Sequence, residues 1–416
     1  MAYIPFIYFT VWLVFHLRKS NMRFGAGAMS LLWIDIGSLF EILLDARNLY
    51  GNFGCNDYAI SAVGVILYCA LWTIVLYPLT KLDRKDIQLT VNKTQLFHYL
   101  CIFFVICGVF YILVSGLYTK IIENLQGSRL DAYEKTNDNS TIYQSQHQFW
   151  LWIPSLVINM WPLLLLCWFI SLNLCKQPAW IRWGLLFLSA YMALVGFSGG
   201  GRAQILWWAI TFLVYYFLFR PQLESRQRRL ISCIFGVFGA VGFLGFAAIT
   251  ISRFDSNVSG YVFDSFIGYA GQPLNNFCAI LPYVDVAHLF TDRLLPLITF
   301  LQTHQPYDLH EYYDFLSIYY PLQMNVFFTC FGNILIDAGL VGLILLLFIY
   351  IFVAHFLRLT SSKIDFYQLV ILVLLFYFPI RGFFGWPFLG QINETLGIFM
   401  SIGLYIIFKY TFKIKR

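Results

Sequence analysis

The sequence predicts an all-α polytopic integral membrane protein, with about 11 transmembrane helices and one large external loop containing short interfacial helices. Three observations carry that expectation. Hydrophobic residues make up 60% of the 416-residue chain and charged residues only 12%, a composition of polytopic membrane proteins and not of soluble globular enzymes. Apolar runs of bilayer length alternate with short polar breaks along the whole sequence. The basic residues, finally, sort into two kinds of break.

One kind carries clusters: Arg18, Lys19 and Arg23; Lys81, Arg84, Lys85 and Lys93; Lys176 and Arg182; Arg220, Arg226, Arg228 and Arg229; Arg358 and Lys363; Lys409, Lys413, Lys415 and Arg416. The other kind holds scattered cations: Arg47, Lys120, Arg129, Lys135, Arg202, Arg253, Arg293 and Arg381. By the positive-inside rule the clustered side is cytoplasmic. The net charge of +6 then reads as topology and not as nucleic-acid binding. Arg202, Arg253, Arg293 and Arg381 fall on the outer side, where no orientation rule asks for them. An anionic substrate at the outer face would account for them.

The spans expected in order are residues 2–17, 24–45, 58–80, 96–118, 150–174, 183–198, 203–219, 230–250, 332–356, 367–386 and 390–408. They belong to one polytopic membrane domain covering residues 1–416. No basic residue precedes the first run, and Arg18, Lys19 and Arg23 follow it. The first span is therefore expected to enter with its N-terminus outside, and not as a cleavable signal. Nine cysteines lie scattered without a CxxC pair, so neither a disulfide framework nor thiol chemistry is expected. No internal repeat is visible, which argues against an inverted-repeat transporter.

Two external loops stand out. Residues 119–149 are polar, and their sequon at Asn139 is too short a pattern to carry weight. Residues 251–331 form the larger, periplasmic loop. Its opening, Tyr261 to Leu274, is apolar and aromatic and is expected to lie along the membrane interface. Its later part gathers Asp285, His288, Asp292, Arg293, His304, Asp308, His310, Glu311 and Asp314 among tyrosines.

Several constellations could carry chemistry. In Phe197-Ser-Gly-Gly-Gly-Arg202 the glycines, Gly200 and Gly201 among them, free the backbone to turn tightly and expose its N–H groups. A helix N-terminus facing outward follows, and such termini attract anions. Arg202 adds a forked donor suited to phosphate. A tight turn with an interfacial arginine is the plain structural account of the same residues. Arg253 and Arg381 end helices, where a cation is favourable by dipole alone, and Arg293 beside Asp292 could be a solvated pair. Asp35, Glu41 and Asp45 share the second span. Carboxylates inside a membrane default to functional or paired roles, and Glu41 and Asp45, four residues apart, share a face. Asp337 and Glu394 lie near the outer ends of their spans, and ion pairing is the bland account of all five carboxylates. His304 and His310 could take a proton from a sugar hydroxyl. No HExxH or similar spacing suggests a metal site, and no cofactor is expected.

Ser198-Gly-Gly-Gly-Arg202-Ala-Gln, the loop opening Ile251-Ser-Arg253 and the stretch Tyr269-Ala-Gly-Gln-Pro-Leu-Asn275-Asn-Phe277 resemble the bacterial O-antigen and capsular polysaccharide polymerases of the Wzy type. The span number and single long outer loop agree with that family. The resemblance implies a metal-independent glycosyltransferase of the bacterial inner membrane, with its active site facing the periplasm. It would join undecaprenyl-diphosphate-linked oligosaccharide repeat units, its donor and its acceptor, in the lipid bilayer. A chain-length regulator and a flippase are the protein partners it would admit.

On that footing the leaving group is a lipid diphosphate, whose charge fixed cations and backbone donors must stabilise where no metal does so. Arg202, Arg253, Arg381, Arg293, Gly200 and Gly201 are the candidates for that role. Asp264, His304 and His310 are candidates for deprotonating the acceptor hydroxyl. An O-antigen ligase, which uses the same donor with lipid A core as acceptor, and a polysaccharide or lipid transporter remain as alternatives. The topology is testable directly. Cysteines placed in 251–331 should be labelled by an impermeant reagent in intact spheroplasts, and a C-terminal tag should not be reached. Labelling that needs permeabilisation would overturn the orientation.

Overall fold

The computed structural model of the chain describes residues 1–50, 60–83, 87–116, 151–198, 203–253, 261–284, 314, 316–324, 326–359, 361, 363–388 and 392–410. These residues are overwhelmingly helical. In chain order the helices are α1 (Tyr3–Lys19), α2 (Ala26–Ala46), α3 (Ala62–Thr80), α4 (Thr94–Ser115), α5 (Trp152–Asn159), α6 (Trp161–Asn173), α7 (Ala179–Ser198), α8 (Ala203–Phe219), α9 (Ser225–Arg253), α10 (Tyr261–Ile280), α11 (Thr329–Phe356), α12 (Phe366–Ile380) and α13 (Ile392–Tyr410). Two three-residue strands, β1 (Gln88–Thr90) and β2 (Lys363–Asp365), pair in parallel.

The membrane class holds, and the span count is coarser than expected. Six described helices (α2, α3, α4, α7, α8 and α11) are long and apolar enough to cross a bilayer, or seven spans if the bent pair α5–α6 is one. That pair is broken by 68°. Pro162 at the start of α6 has no N–H to continue the helix from α5, and the Leu163 and Leu164 amides both turn back to the Met160 carbonyl. Among the shorter apolar helices, α12 has 15 residues, under the roughly 20 that a perpendicular crossing takes.

The segment expected to lie along the interface, at the start of 251–331, is a helix packed against protein. Residues 261–280 form the 20-residue helix α10, which packs against α2, α3 and α11 and buries Ile267, Leu274, Phe277 and Ile280. Small residues on α10 make this close packing available. The segment 119–149, expected as an external loop, and residues 285–313 of the expected larger loop lie outside the described residues.

The chain divides into two compact units: Met1–Ile87, Ser259–Ser361 and Leu374–Thr395 form the first, and Gln88–Val258, Ser362–Val373 and Leu396–Arg416 the second. The second unit is cored by an aromatic group in which Phe169 meets Trp168 at 4.8 Å, Phe212 at 5.4 Å and Phe219 at 5.6 Å. Its strand pair is fixed by Asp365, which accepts hydrogen bonds from the Asn92 backbone at 3.0 Å and side chain at 2.9 Å.

In the first unit, rings from five elements meet around Tyr68 and Trp72 of α3: Phe9, Phe277, Phe331 and Phe383 lie 4.8–6.4 Å from one or the other. The start of α2 is capped from a distance. Buried Asp83, just past α3, accepts from the Gly27 amide at 2.9 Å and the Ala28 amide at 2.7 Å, and also bonds His16 at 2.8 Å. A carboxylate there satisfies orphan donors and the positive end of the helix dipole. The end of α2 closes differently. Asn48 takes a left-handed φ of 51°. The Leu49 amide then donates to Leu44 and the Asn48 amide to Asp45, the Schellman arrangement. Leu44 and Leu49 pack together with Tyr50 and Ile267 under it.

Glycines set how closely these helices approach. A Cβ on Gly271 would lie 2.5 Å from the Phe40 carbonyl oxygen and 3.0 Å from the Glu41 nitrogen, so α10 and α2 touch backbone to backbone. Small residues make such crossings possible in membranes. A Cβ on Gly236 of α9, by contrast, would meet nothing within 4 Å. Gly271→Val should therefore sharply reduce the folded yield or the melting temperature in detergent, while Gly236→Ala should leave both unchanged or slightly raised. Equal behaviour of the two variants would show that the α2–α10 crossing does not need glycine.

Candidate functional site

The first unit holds an unusual amount of polar chemistry for an apolar fold. Glu41 of α2, Gln272, Asn275 and Asn276 of α10, Asn333 and Asp337 of α11, and Arg381 after α12 are all buried. Burial of such groups is costly unless they are bonded or used, so each side chain needs an account.

Gln272 and Asn276 have a structural one. They lie one turn apart on α10 and grip one residue of the segment leading into α11. The Phe327 amide donates to Gln272 Oε1 at 3.2 Å, and Asn276 Nδ2 donates to the Phe327 carbonyl at 3.1 Å. Asn276 Nδ2 also reaches Gln272 Oε1 at 3.3 Å, and Gln272 Nε2 reaches the Gly268 carbonyl at 3.1 Å. Both polar groups of Phe327 are thus read by side chains as a neighbouring strand would read them. The Phe327 ring in turn contacts Tyr269 at 5.8 Å and Phe384 at 5.1 Å.

Arg381 sits in the turn that follows α12 and is only 3% exposed, with its guanidinium 5.4 Å from the Tyr377 ring centre. The turn is pinned from α11: the Cys330 amide donates to the Gly382 carbonyl at 2.7 Å, and the Trp386 amide donates to Asn333 Oδ1 at 2.7 Å. Phe383 reaches α2, where a Cβ on Gly37 would overlap its ring at 2.1 Å. Thr329, at the start of α11, holds a left-handed φ of 67°, which is rare for a β-branched residue and costs on the order of 1–3 kcal/mol.

Glu41 is 1% exposed. Its Oε1 accepts from the Tyr50 hydroxyl at 3.3 Å, and the Asn275 backbone lies within hydrogen-bonding reach. Its Oε2 has no partner among the described residues. The same Tyr50 hydroxyl lies 3.4 Å from Asp45 Oδ1. Burial first, then the neighbouring Glu41 and Asp45 charges, push the Tyr50 phenol far above its ordinary range, so it stays a proton donor. At the end of α2, Arg47 is ion-paired with Asp264 of α10 and its guanidinium lies 5.8 Å from the Phe263 ring centre. Asp35 has its own partner, since the Thr10 hydroxyl lies 3.0 and 3.1 Å from its two oxygens.

The residues expected to act from sequence fare unequally. Asp264, a candidate base, is ion-paired through one of its oxygens with Arg47. Arg381 is buried within aromatic packing, and Arg253 is the last residue of α9. Gly200, Gly201, Arg202, Arg293, His304 and His310 lie outside the described residues. Sequence reasoning singled out Glu41 without a specific partner, counted Arg47 only as a scattered cation, quoted Gln272 and Asn276 only within the 269–277 stretch, and passed over Tyr50 and Asn333. The one available signal was three amides within five residues of an otherwise apolar helix, Gln272 to Asn276. Among the described residues no group of three or more His, Cys, Asp or Glu stands close enough to hold a metal ion.

Comparison with protein-family models, with curated proteins and with solved structures finds no match to this chain.

The clamp on Phe327 is open to test. Gln272→Leu should cost about 1–3 kcal/mol, because it leaves a partly buried backbone amide without its acceptor. Asn276→Leu should cost a similar amount, and the double variant should lose less than the two combined, since both act on one residue. Thermal unfolding in detergent measures this, and full additivity would show that the two side chains act separately.

Proposed function

We propose that the protein polymerises lipid-diphosphate-linked oligosaccharide repeat units at the outer face of a bacterial inner membrane, as a metal-independent glycosyltransferase of the Wzy type. The observation that carries this reading is the buried polar layer of the first unit, built around the 269–277 stretch that also carries the resemblance. A scaffold for lipid packing has no use for Glu41, Asp337 and Arg381 inside an apolar fold. An enzyme that handles a sugar hydroxyl and a diphosphate beside the bilayer does.

In the proposed reaction the acceptor hydroxyl oxygen forms a bond to the anomeric carbon of the growing glycan. The bond from that carbon to the diphosphate oxygen breaks, and the diphosphate leaves with the electron pair. The acceptor proton passes to a base of the protein. Arg202, with the N–H groups offered by Gly200 and Gly201, is assigned to the leaving diphosphate, together with Arg253 and Arg293. Buried Arg381 is assigned to the polar layer of the first unit. His304 and His310 remain candidates for deprotonating the acceptor hydroxyl. Asp264 is not assigned as base, because its partner Arg47 would have to be displaced first.

Purified full-length protein in detergent should extend lipid-diphosphate-linked repeat units with EDTA present and no nucleotide sugar added. Arg202→Ala should abolish extension at normal abundance in the membrane, and Arg202→Lys should recover little, because a point charge replaces a bidentate fork. Full activity of the alanine variant would make Arg202 an interfacial anchor. Strict need for a divalent ion would sink the arginine mechanism. In a deletion strain, lipopolysaccharide carrying a single repeat unit supports polymerisation, whereas complete loss of attached glycan would replace the reading by that of a ligase.

A further inference from the structure

Asp45, Tyr50 and Glu41 form a line from the surface into the first unit. Asp45 is exposed at the end of α2, and Glu41 is buried one turn earlier on the same face. The Tyr50 hydroxyl stands between them, 3.4 Å from one carboxylate and 3.3 Å from the other. This placement follows from the chain itself. The Schellman turn at Asn48 reverses direction immediately after α2 and returns residue 50 over the two carboxylates.

We propose that these three residues are a proton relay, in which Glu41 takes up the proton released by sugar transfer and Tyr50 passes it to Asp45 at the surface. The step balances without a co-reactant. As the Glu41 carboxylic acid gives its proton to the phenol oxygen, the phenol gives its own proton to an Asp45 carboxylate oxygen. Tyr50 ends neutral, Glu41 is again a carboxylate, and Asp45 releases the proton to water. Glu41 Oε2, which has no partner among the described residues, receives the incoming proton, and rotation of the carboxyl group then turns the protonated oxygen to the phenol. The inference rests on the proposed transferase reading, which supplies the proton, and it gives the base a location that Asp264 cannot offer.

The groups facing Glu41 leave the route intact. On α2 itself they are Asp45 and, beyond it, Arg47, already engaged by Asp264 of α10. From α3 comes Tyr68, and from α10 the Asn275 backbone and Cys278. No arginine or lysine among the described residues is ion-paired to Glu41.

The test uses purified full-length protein with Glu41→Gln, Tyr50→Phe and Asp45→Asn. Glutamine keeps the shape and can still accept the Tyr50 hydrogen bond, and unchanged melting and gel-filtration behaviour establishes folding. Glu41→Gln should lower the rate of extension of lipid-diphosphate-linked repeat units about 10²-fold or more with donor binding retained. Tyr50→Phe should displace the pH–rate profile, which a packing role would leave in place. Infrared spectroscopy of the substrate-free protein should show a carboxyl band that titrates, disappears in Glu41→Gln and titrates at a different pH in Tyr50→Phe. If the wild type extends chains and Glu41→Gln stays within about twofold of it, the relay is wrong and the polymerase reading stands. If the wild type extends nothing, the polymerase reading fails, and an infrared titration unmoved by Tyr50→Phe then sinks the relay as well. Should Glu41→Gln misfold, Tyr50→Phe decides through the pH profile and the carboxyl titration together.

Discussion

Contact between the α2 backbone at Phe40 and the α10 backbone at Gly271 is the constraint from which the first unit follows. Two helices can touch at that distance only where one of them lacks a side chain, and the approach brings Asn275 against Glu41 one turn further along α10. With α10 held there, Gln272 and Asn276 face the segment before α11 and take hold of Phe327. That grip fixes the entry into α11, whose first residues pin the Arg381 turn through Gly382 and Trp386. Each link passes through backbone hydrogen bonds or aromatic packing, and no exposed ion pair is needed along it.

The class of fold was legible because apolar run length is a direct consequence of bilayer thickness. Among the described residues, each segment that the hydropathy pattern marks as a span contains a helix. What the pattern could not separate was a helix that crosses lipid from one that packs inside protein. α10 is apolar and aromatic enough to lie at an interface, and its burial depends on a neighbour, α2, more than 200 residues away in sequence. The bend between α5 and α6 was written in Pro162, which a single long apolar run conceals.

The site was legible in part. Glu41 could be singled out because a carboxylate within a span is expensive. Its partner Tyr50 could not, since nothing in the sequence says that Asn48 will turn the chain back over the helix it has just left. Asp264 illustrates the opposite case. A carboxylate in an apolar aromatic stretch invites a catalytic reading, but Arg47 reaches it from the end of another helix, and a cation that counts as a scattered loop charge in sequence becomes a specific partner in space. Arg381 shows that a cation at a helix end need not face water, because α11 and aromatic rings enclose it.

Gly339 gives α11 two mechanical lives. Its φ of 61° and ψ of −165° interrupt a helix of 28 residues, which if straight would be about 42 Å long and well in excess of a hydrocarbon core of roughly 30 Å. Below the break, residues 329–337 are buried, whereas beyond it Leu340, Val341, Ile344, Leu345, Phe348 and Phe352 are exposed. The exposed part alone is about 25 Å long, close to what lipid tails cover. Bilayer thickness therefore acts on the far half, and the glycine lets that half tilt to match the membrane without turning Asn333, Asp337 and the residues they support.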